Sequence, residues 1–299
     1  MEKSKKIEEI IEDVCPTASG DEKDLMRIWA RSDLYSVKLS HYFSIYSELL
    51  GKFRGQKCTL VEVGVLNGGG LVGWKDYLGE KAEIIGIDLN PNIKKFEKEG
   101  FRTFVGDQAD INFWNSFYDE VGKVDILIDD GGHSSHQQIS TLISALMHIK
   151  NEAILVFEDT QYGFFEFVRN IEGENNFANY SKLATDNLTL RQKQHSPRPE
   201  RFGKISNPSS LELFKNVRSV SFFNGMIVYR LEPDKKRKES LVIANNPKKE
   251  SFDDYRIKTK IHGIKVPWPD PMSVTTKIVK SKYTNEDGNT QNIQTIKLK

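Results

Sequence analysis

The sequence predicts an α/β fold built on a doubly wound, mostly parallel sheet. Short runs of β-branched and apolar residues alternate with stretches of helical periodicity, which is typical of strand–helix–strand units. Five of those runs end in acidic residues. The pair Asn224-Gly225 separates two further β-rich runs, VRSVSFF and MIVYRL, and predicts an antiparallel hairpin that closes the sheet.

Composition excludes several classes of protein. The 299-residue chain carries 43 Lys and Arg against 42 Asp and Glu, so it lacks the strongly basic balance of a nucleic-acid-binding protein. No apolar run is long enough to span a bilayer. The charged N-terminus has no apolar signal core, and Cys15 and Cys58 are too few for a disulfide framework or a zinc site. We therefore expect a cytoplasmic protein with reduced thiols.

Residues 1–56 are predicted to be a helical segment that packs on the core. Helical spacing of isoleucines predicts a first helix over residues 2–14. Ser19 or Asp21 is a candidate cap for a second helix. A third has an apolar face that begins at Leu39, continues with aromatic residues, and stops at Gly51.

Residues 57–231 are predicted to form the main domain. The expected strands cover residues 59–66, 82–88, 101–106, 124–130 and 153–159. The expected helices between them cover residues 69–78, 91–99, 113–118 and 135–150. This alternation predicts parallel strands joined by right-handed crossovers.

The remaining stretches are predicted to lie outside this repeating pattern. Residues 161–204 are polar and are interpreted as a loop region that covers the substrate, followed by a helix over 208–216. Residues 232–299 carry 15 Lys and Arg against 9 Asp and Glu but show no second compact core. We interpret them as a solvated basic extension that packs on the main domain or on another subunit, which allows a homo-oligomer.

The stretch TLVEVGVLNGGG, residues 59–70, predicts a buried strand followed by a glycine-rich turn. Such a turn at the end of a first strand lets a ligand approach the backbone closely. Glu62 places a carboxylate at this strand end, where the hydroxyls or the ammonium group of a ligand would partner it.

Acids at the next two strand ends indicate an adenosine-type cofactor. Asp88 lies where a carboxylate can accept both hydroxyls of a ribose, and Asp107-Gln108 could bond to an adenine edge. Ligands of open α/β sheets bind outside these carboxyl ends. The pattern fits both a dinucleotide and S-adenosylmethionine.

A second group of acids follows the fourth and fifth strands. The motif Asp129-Asp130-Gly131-Gly132-His133 precedes a predicted helix, and Glu158-Asp159 ends the fifth strand. Several carboxylates from neighbouring strands match the hard oxygen ligands that Mg²⁺ prefers. His133, beside these acids, is a candidate general base.

Five segments together resemble a known family. They are VEVGVLNGGG, IIGIDLNP, GDQAD, ILIDDGGH and ILVFEDT, in this order. The chain resembles class I S-adenosylmethionine-dependent methyltransferases over roughly residues 31–231, and in particular the metal-dependent sugar O-methyltransferases of the macrolide-tailoring mycinamicin and tylosin type and their polysaccharide-cluster relatives. The resemblance implies a Rossmann-like, seven-stranded sheet.

The resemblance also implies roles for individual residues. The methionine part of S-adenosylmethionine would be held by Glu62, Gly64 and the loop through Asn67 and Gly68. The rest of the cofactor site would comprise Asp88 for the ribose, Asp107 and Gln108 for the adenine, and Asp129. The Mg²⁺ ligands would be Asp130, Glu158 and Asp159. His133, beside Asp130, would take the proton from the acceptor hydroxyl.

The leading hypothesis is therefore a Mg²⁺-dependent O-methyltransferase for a sugar hydroxyl of a polysaccharide, a nucleotide sugar or a glycosylated natural product. The glycines after Glu62 are not spaced as G-x-G, which leaves the contacts of that loop with the cofactor open. Residues 232–299 have no counterpart in the family, so a macrolide acceptor is not implied. One alternative is an NAD-dependent sugar-modifying oxidoreductase, which Asp88 would also suit. Another is a non-catalytic partner protein of the same fold.

Overall fold

The computed structural model describes residues 2–165, 176–194, 213–233, 277–284 and 290–297. The chain divides into two compact units, Met1–Ser240 and Leu241–Lys299. The predicted helix over 208–216 lies mostly outside the described residues. So do residues 166–175 and 195–204 of the predicted loop region.

The first unit is built on a seven-stranded sheet. Its strands are β1 (Cys58–Val63), β2 (Ala82–Asp88), β3 (Arg102–Val105), β4 (Ile126–Asp129), β5 (Ala153–Phe157), β6 (Val217–Phe223) and β7 (Met226–Leu231). They lie in the order β3-β2-β1-β4-β5-β7-β6. The first five pair in parallel, while β7 is antiparallel to both β5 and β6. The predicted α/β fold class is confirmed.

Helices cover both faces of this sheet. One face packs against α1 (Glu2–Val14), α2 (Gly20–Arg31), α3 (Tyr42–Leu50) and α4 (Gly69–Leu78). The other packs against α5 (Ile111–Val121), α6 (Ser135–His148) and α7 (Phe177–Gln194). Alternate residues of each parallel strand point to the two faces, so both faces need apolar side chains and each acquires a helical layer. A 3₁₀ helix, Pro91–Glu99, replaces the short helix predicted between β2 and β3.

The N-terminal helices follow the sequence prediction except at one residue. The Ser19 hydroxyl accepts a hydrogen bond from the Glu22 N–H and caps α2. Leu39, however, was predicted on the apolar face of α3 and is 45% exposed in the segment before that helix. The prediction for Leu39 is wrong because α3 begins only at Tyr42, which leaves residues 32–41 without helix or strand.

The predicted loop region 161–204 contains an 18-residue helix, α7. Its buried positions include Phe177, Ser181, Ala184 and Asn187, which recur at intervals of three and four residues. This spacing is helical, but half of these residues are polar. An apolar periodicity is therefore weak in the sequence, and the loop interpretation is wrong for this stretch.

The predicted hairpin around Asn224-Gly225 is confirmed. Gly225 has φ +75°, which a side chain would disfavour and a tight turn requires. The Gly225 carbonyl accepts a hydrogen bond from the Thr160 N–H at 3.1 Å. The hairpin turn is thereby fixed beside the carboxyl end of β5.

The second unit contains an antiparallel pair, β8 (Lys277–Thr284) and β9 (Thr290–Lys297), in register throughout. Residues 241–299 form a compact unit of their own, and the expectation that residues 232–299 show no second compact core stays a prediction. These strands are rich in Lys, Thr, Gln and Asn, so their apolar alternation is weak. Among the described residues no helix is both long enough and apolar enough to cross a bilayer.

Candidate active site

The carboxyl ends of β1 to β5 surround a cavity of about 510 Å³. Its lining contains eight of the residues that the sequence singled out: Glu62, Gly64, Asp88, Asp107, Gln108, Asp130, His133 and Asp159. The strand order explains this convergence, because all five parallel strands end at the same edge of the sheet. Asn67, Gly68, Asp129 and Glu158 are not part of the lining.

Gly64 allows two loops to cross in close contact. It has φ +90°, and a Cβ at this position would lie 2.1 Å from the Asp130 carbonyl oxygen. Any side chain here would therefore push the end of β4 away from the end of β1. The close crossing joins the predicted cofactor loop to the predicted catalytic loop.

Glu62 is a buried carboxylate with one free oxygen. Trp74 donates from Nε1 to Oε1 at 2.9 Å, while Oε2 has no hydrogen-bond partner among the described residues. Burial raises the pKa of Glu62 to about 7, although the Lys38 ammonium and the Trp74 bond oppose the shift. Buried polar atoms in proteins usually have a hydrogen-bond partner, so Glu62 Oε2 is available to accept a hydrogen bond from a ligand in the cavity.

Asp88 fixes the loop that follows β1. Its Oδ2 accepts from the N–H groups of Val65 at 2.9 Å and Leu66 at 3.2 Å, and its Oδ1 accepts from Asn90 N–H at 2.9 Å. The carboxylate still borders the cavity and retains lone pairs for ligand hydroxyls. Its predicted contact with a ribose stays a prediction.

Gln108 is committed to a network inside the protein. Its Nε2 donates to both oxygens of Asp129 at 3.0 Å, and its Oε1 accepts from the Gly132 N–H at 2.8 Å. Burial raises the pKa of Asp129, and the bond from Gln108 opposes that shift. These contacts hold the loop after β4 against the loop after β3. The predicted contact of Gln108 with an adenine stays a prediction. Asp107, by contrast, is exposed at the cavity.

Asp130, His133 and Asp159 meet at the other end of the cavity. His133 Nε2 lies 4.0 Å from Asp130 Oδ1 and 3.8 Å from Asp159 Oδ2. The three side chains are 20–27% exposed, so they face solvent within a concave site. They offer ligand atoms that all lie within 4.8 Å of one another, which is close enough to hold one metal ion.

Two of these three residues have unusual backbones. His133 has φ +57° and Asp159 has φ +54°, and Leu66, which also lines the cavity, has φ +51°. Left-handed conformations are uncommon for residues other than glycine and cost energy. They persist where the surrounding fold over-determines them, as at binding and catalytic sites.

Glu158 is not one of these three clustered residues. Its side chain is 2% exposed, and its Oε1 accepts from Lys38 Nζ at 2.5 Å and from the Tyr46 hydroxyl. The neighbouring Asp159 instead accepts from the Tyr42 hydroxyl at 2.8 Å. The structure thus brings only two of the three predicted metal carboxylates to the imidazole.

Lys38 and Tyr42 make contacts that sequence reasoning missed, and Tyr46, whose role the sequence leaves open, makes a third. They come from α3 and the segment before it, and they reach the ends of β4 and β5. Tyr42 and Tyr46 are four residues apart in α3, so their hydroxyls lie along one side of that helix. That spacing is a sequence signal that could have indicated the two tyrosines, whereas Lys38 precedes the helix.

Three predicted cofactor residues, Asn67, Gly68 and Asp129, lie outside the cavity lining, and so does His136. Asn67 is exposed, and Gly68 serves as the N-cap of α4 with φ +83°. His136, whose role the sequence leaves open, is exposed on α6. The roles predicted for Asn67, Gly68 and Asp129 stay predictions.

Known proteins with related sequences are sugar O-methyltransferases. The 8-demethyl-8-alpha-L-rhamnosyl tetracenomycin-C 2'-O-methyltransferase of Streptomyces olivaceus is 25% identical over 190 residues, which are 60% of this chain and 47% of that protein. The mycinamicin VI 2''-O-methyltransferase of Micromonospora griseorubida is 27% identical over 144 residues, 46% of this chain and 36% of that protein. The chain spans less than half the length of these relatives. No family model matches it.

Solved structures share the fold. The MycE methyltransferase of the mycinamycin pathway, in complex with Mg and SAH, has a TM-score of 0.59 at 19% identity, over 83% of this chain and 61% of that chain. A second MycE structure, which also contains mycinamycin VI, has a TM-score of 0.56 at 19% identity, over 74% of this chain and 57% of that chain. The resemblance predicted from the sequence and the Rossmann-like methyltransferase fold are confirmed.

Proposed function

We propose that this protein is an S-adenosylmethionine-dependent, Mg²⁺-dependent O-methyltransferase that acts on a sugar hydroxyl of a glycosylated molecule. One observation carries the proposal. Asp130, His133 and Asp159 open into the same cavity as Glu62 and Asp88, so an acid–histidine cluster faces a site suited to an adenosine cofactor. The names of the sequence relatives support the same reaction.

The cofactor end of the cavity fits S-adenosylmethionine. The free Oε2 of Glu62 is buried and would accept a hydrogen bond from the ammonium of the methionine part. A pyrophosphate there would be repelled, which disfavours a dinucleotide. Gly64 would admit the ligand close to the backbone, Asp88 would bind the ribose and Asp107 the adenine. When bound, S-adenosylmethionine supplies an electrophilic methyl group.

The metal end of the cavity fits a divalent ion. Asp130 and Asp159 present carboxylate oxygens toward one point, and hard oxygen ligands suit Mg²⁺. When bound, Mg²⁺ lowers the pKa of a coordinated hydroxyl and orients it. Tyr42 donates to Asp159 Oδ1 and thereby fixes the direction of the other oxygen, Oδ2, toward His133.

His133 would act as the general base. Its imidazole would accept the hydroxyl proton as the sugar oxygen forms its bond to the methyl carbon and the bond from that carbon to sulfur breaks. Its Nε2 lies 4.0 Å from Asp130 Oδ1 and 3.8 Å from Asp159 Oδ2, so the imidazole borders the place where the acceptor hydroxyl would be held. The products are a methyl ether and S-adenosylhomocysteine.

The acceptor class rests on the relatives. Two of them are named for methylation of a rhamnosyl tetracenomycin and of mycinamicin VI, both glycosylated small molecules. We propose an acceptor of that class. A polysaccharide or nucleotide-sugar acceptor, a cytoplasmic location and a homo-oligomer stay predictions from the sequence.

Calorimetric titration with S-adenosylmethionine, with and without Mg²⁺, tests the proposal. We expect binding in both cases, and methyl transfer to a glycosylated acceptor only with a divalent ion. If S-adenosylmethionine binds under neither condition, the proposal is wrong. Titration with NADH is the control, and NADH binding in place of S-adenosylmethionine would favour the oxidoreductase alternative.

A further inference from the structure

A row of aromatic side chains begins beside His133. The ring centroids of His133 and Tyr162 lie 5.5 Å apart, and those of Tyr162 and Phe165 lie 5.2 Å apart. Tyr162 is 36% exposed, Phe165 is 44% exposed and Phe164 is 54% exposed. These three residues form a surface that we call the aromatic shelf. Because His133 lines the cavity, the shelf starts at the edge of the candidate active site.

The backbone holds the shelf in place. A 3₁₀ helix, Thr160–Phe164, begins directly after Asp159, and the turn at Gly225 anchors its first residue. The Tyr162 N–H donates to the Asp159 carbonyl at 3.0 Å, and the Phe165 N–H donates to the Tyr162 carbonyl at 3.0 Å. The three rings are therefore carried by a hydrogen-bonded turn at a constant place relative to the end of β5.

Gly163 decides which side of this turn faces the protein. It is buried, and a Cβ at this position would lie 2.7 Å from the Asn176 Cβ and 3.1 Å from the Ser135 hydroxyl oxygen. The turn thus packs through its glycine against the start of α6, while the residues on both sides of the glycine expose aromatic rings. Adjoining apolar side chains that stay exposed often mark a binding surface.

The position of the shelf favours a sugar ring as its ligand. One face of a pyranose presents mainly C–H groups, which are apolar and slightly positive, and the face of an aromatic ring is slightly negative. A pyranose stacked on Tyr162 would keep its hydroxyls at its rim and could direct one of them toward the neighbouring His133. Sites for small molecules combine apolar surface with a few polar groups in this way.

The other two rings of the shelf favour an apolar group next to that sugar. Phe164 and Phe165 have no side-chain donor that could bind a phosphate, and an anion desolvated against phenyl rings without a partner is costly. The same rings would gain from contact with an apolar or aromatic substituent. The shelf therefore suits a glycoside better than a nucleotide sugar.

We propose that the aromatic shelf determines acceptor specificity. Tyr162 stacks on the sugar whose hydroxyl is methylated, and Phe164 and Phe165 contact the apolar group attached to that sugar. This inference rests on the proposed function, and it concerns recognition of the acceptor, not the chemical step. It also agrees with the sequence prediction that the stretch from residue 161 onward meets the substrate.

Calorimetric titration with three rhamnose derivatives tests the inference, since one sequence relative is named for a rhamnosyl acceptor. They are methyl L-rhamnoside, p-nitrophenyl L-rhamnoside and thymidine-diphosphate L-rhamnose, each added to the full chain with and without S-adenosylhomocysteine and Mg²⁺. The p-nitrophenyl glycoside is expected to bind about tenfold more tightly than the methyl glycoside, because its ring contacts Phe164 and Phe165. Equal affinities, or a preference for the nucleotide sugar, would overturn the inference.

Variants of the shelf separate its two parts. Phe165→Ala is expected to remove most of the preference for the p-nitrophenyl glycoside, while affinity for the methyl glycoside stays within about twofold. Tyr162→Ala should weaken both glycosides about tenfold, whereas Tyr162→Phe keeps the ring and both affinities. In methyl transfer, Phe165→Ala should raise KM for the p-nitrophenyl glycoside and leave kcat unchanged.

Met147→Ala is the control for the loss of an exposed apolar side chain. Met147 is 51% exposed and lies in the last turn of α6, at the far end of that helix from His133. It should change neither glycoside affinity. If Met147→Ala and Phe165→Ala have the same effect, the shelf is not specific and the inference is wrong.

Failure of the inference and failure of the proposed function are distinguishable. If S-adenosylhomocysteine binds but neither glycoside does, the inference is wrong while the cofactor proposal stands. If the glycoside preference depends on Phe165 but S-adenosylhomocysteine does not bind, the inference stands and the proposed reaction is wrong. If Phe165→Ala changes the mass measured by light scattering and no glycoside affinity, the shelf is a contact between two copies of this chain, which overturns the inference.

Discussion

The two ends of the cavity hold their carboxylates in different ways. At the ends of β1 to β3, acids are held by nearby groups: Asp88 by backbone N–H groups of the adjoining loops, and Glu62 by Trp74, twelve residues away. At the ends of β4 and β5, partners come from the N-terminal part of the chain. Lys38 lies 92 residues from Asp130 and 120 from Glu158. The end at β1 to β3 is therefore built from its own loops and α4. The end at β4 and β5 depends on how α3 and the segment before it pack against the sheet.

Replacement of His133 should cause the largest loss of activity. It should leave cofactor binding at the other end of the cavity unchanged. His133→Ala is expected to lower kcat about 10³-fold because a general base is lost, while S-adenosylhomocysteine affinity stays unchanged. Single-turnover assays and calorimetry measure the two quantities. His136→Ala, three residues along and exposed, is the matched control and should retain activity. Full activity in His133→Ala would show that His133 is not the general base.

Replacement of Asp88 should affect the opposite end. Asp88→Ala is expected to weaken S-adenosylhomocysteine binding about 30-fold, since it removes ribose contacts and releases the loop at Val65 and Leu66. Mn²⁺ affinity should not change. Glu80→Gln, at a side chain that is 97% exposed, is the control. Equal losses of both affinities would mean that the two ends are not separable.

The pH dependence of cofactor binding should report on Glu62. Its pKa of about 7 means that the carboxyl is protonated below this pH and charged above it. Only the charged form attracts an ammonium, so S-adenosylhomocysteine affinity should rise about tenfold between about pH 6 and about pH 8. Glu62→Gln should bind weakly with a flat profile. An affinity that falls over this range contradicts the assignment.

The smallest effect is expected at Tyr42. Tyr42→Phe removes the hydroxyl that donates to Asp159 and should lower the free energy of unfolding by about 1–2 kcal/mol. The buried Tyr118 hydroxyl has no hydrogen-bond partner among the described residues. Tyr118→Phe is therefore the matched control and should be neutral or stabilising in chemical denaturation. A neutral Tyr42→Phe would mean that the Asp159 contact adds nothing to stability.

Predictability differed along the chain for physical reasons. The parallel strands, α4 and the Asn224-Gly225 hairpin follow from local patterns and were predicted. Helix α7 was not, because its buried face contains Ser181 and Asn187 where apolar residues would signal a helix. The start of α3 was also misplaced: Leu39 was predicted on its apolar face, but the helix begins only at Tyr42.

By itself the sequence determined that acids end all five parallel strands and that these ends meet at one edge of the sheet. That follows from strand period and βα order, which are local properties. Only the tertiary structure decided which acid faces which partner. Glu158 and Asp159 are adjacent in sequence, yet one contacts Lys38 and the other Tyr42 and His133. The difference depends on packing between segments that are far apart in the chain, which no local pattern encodes.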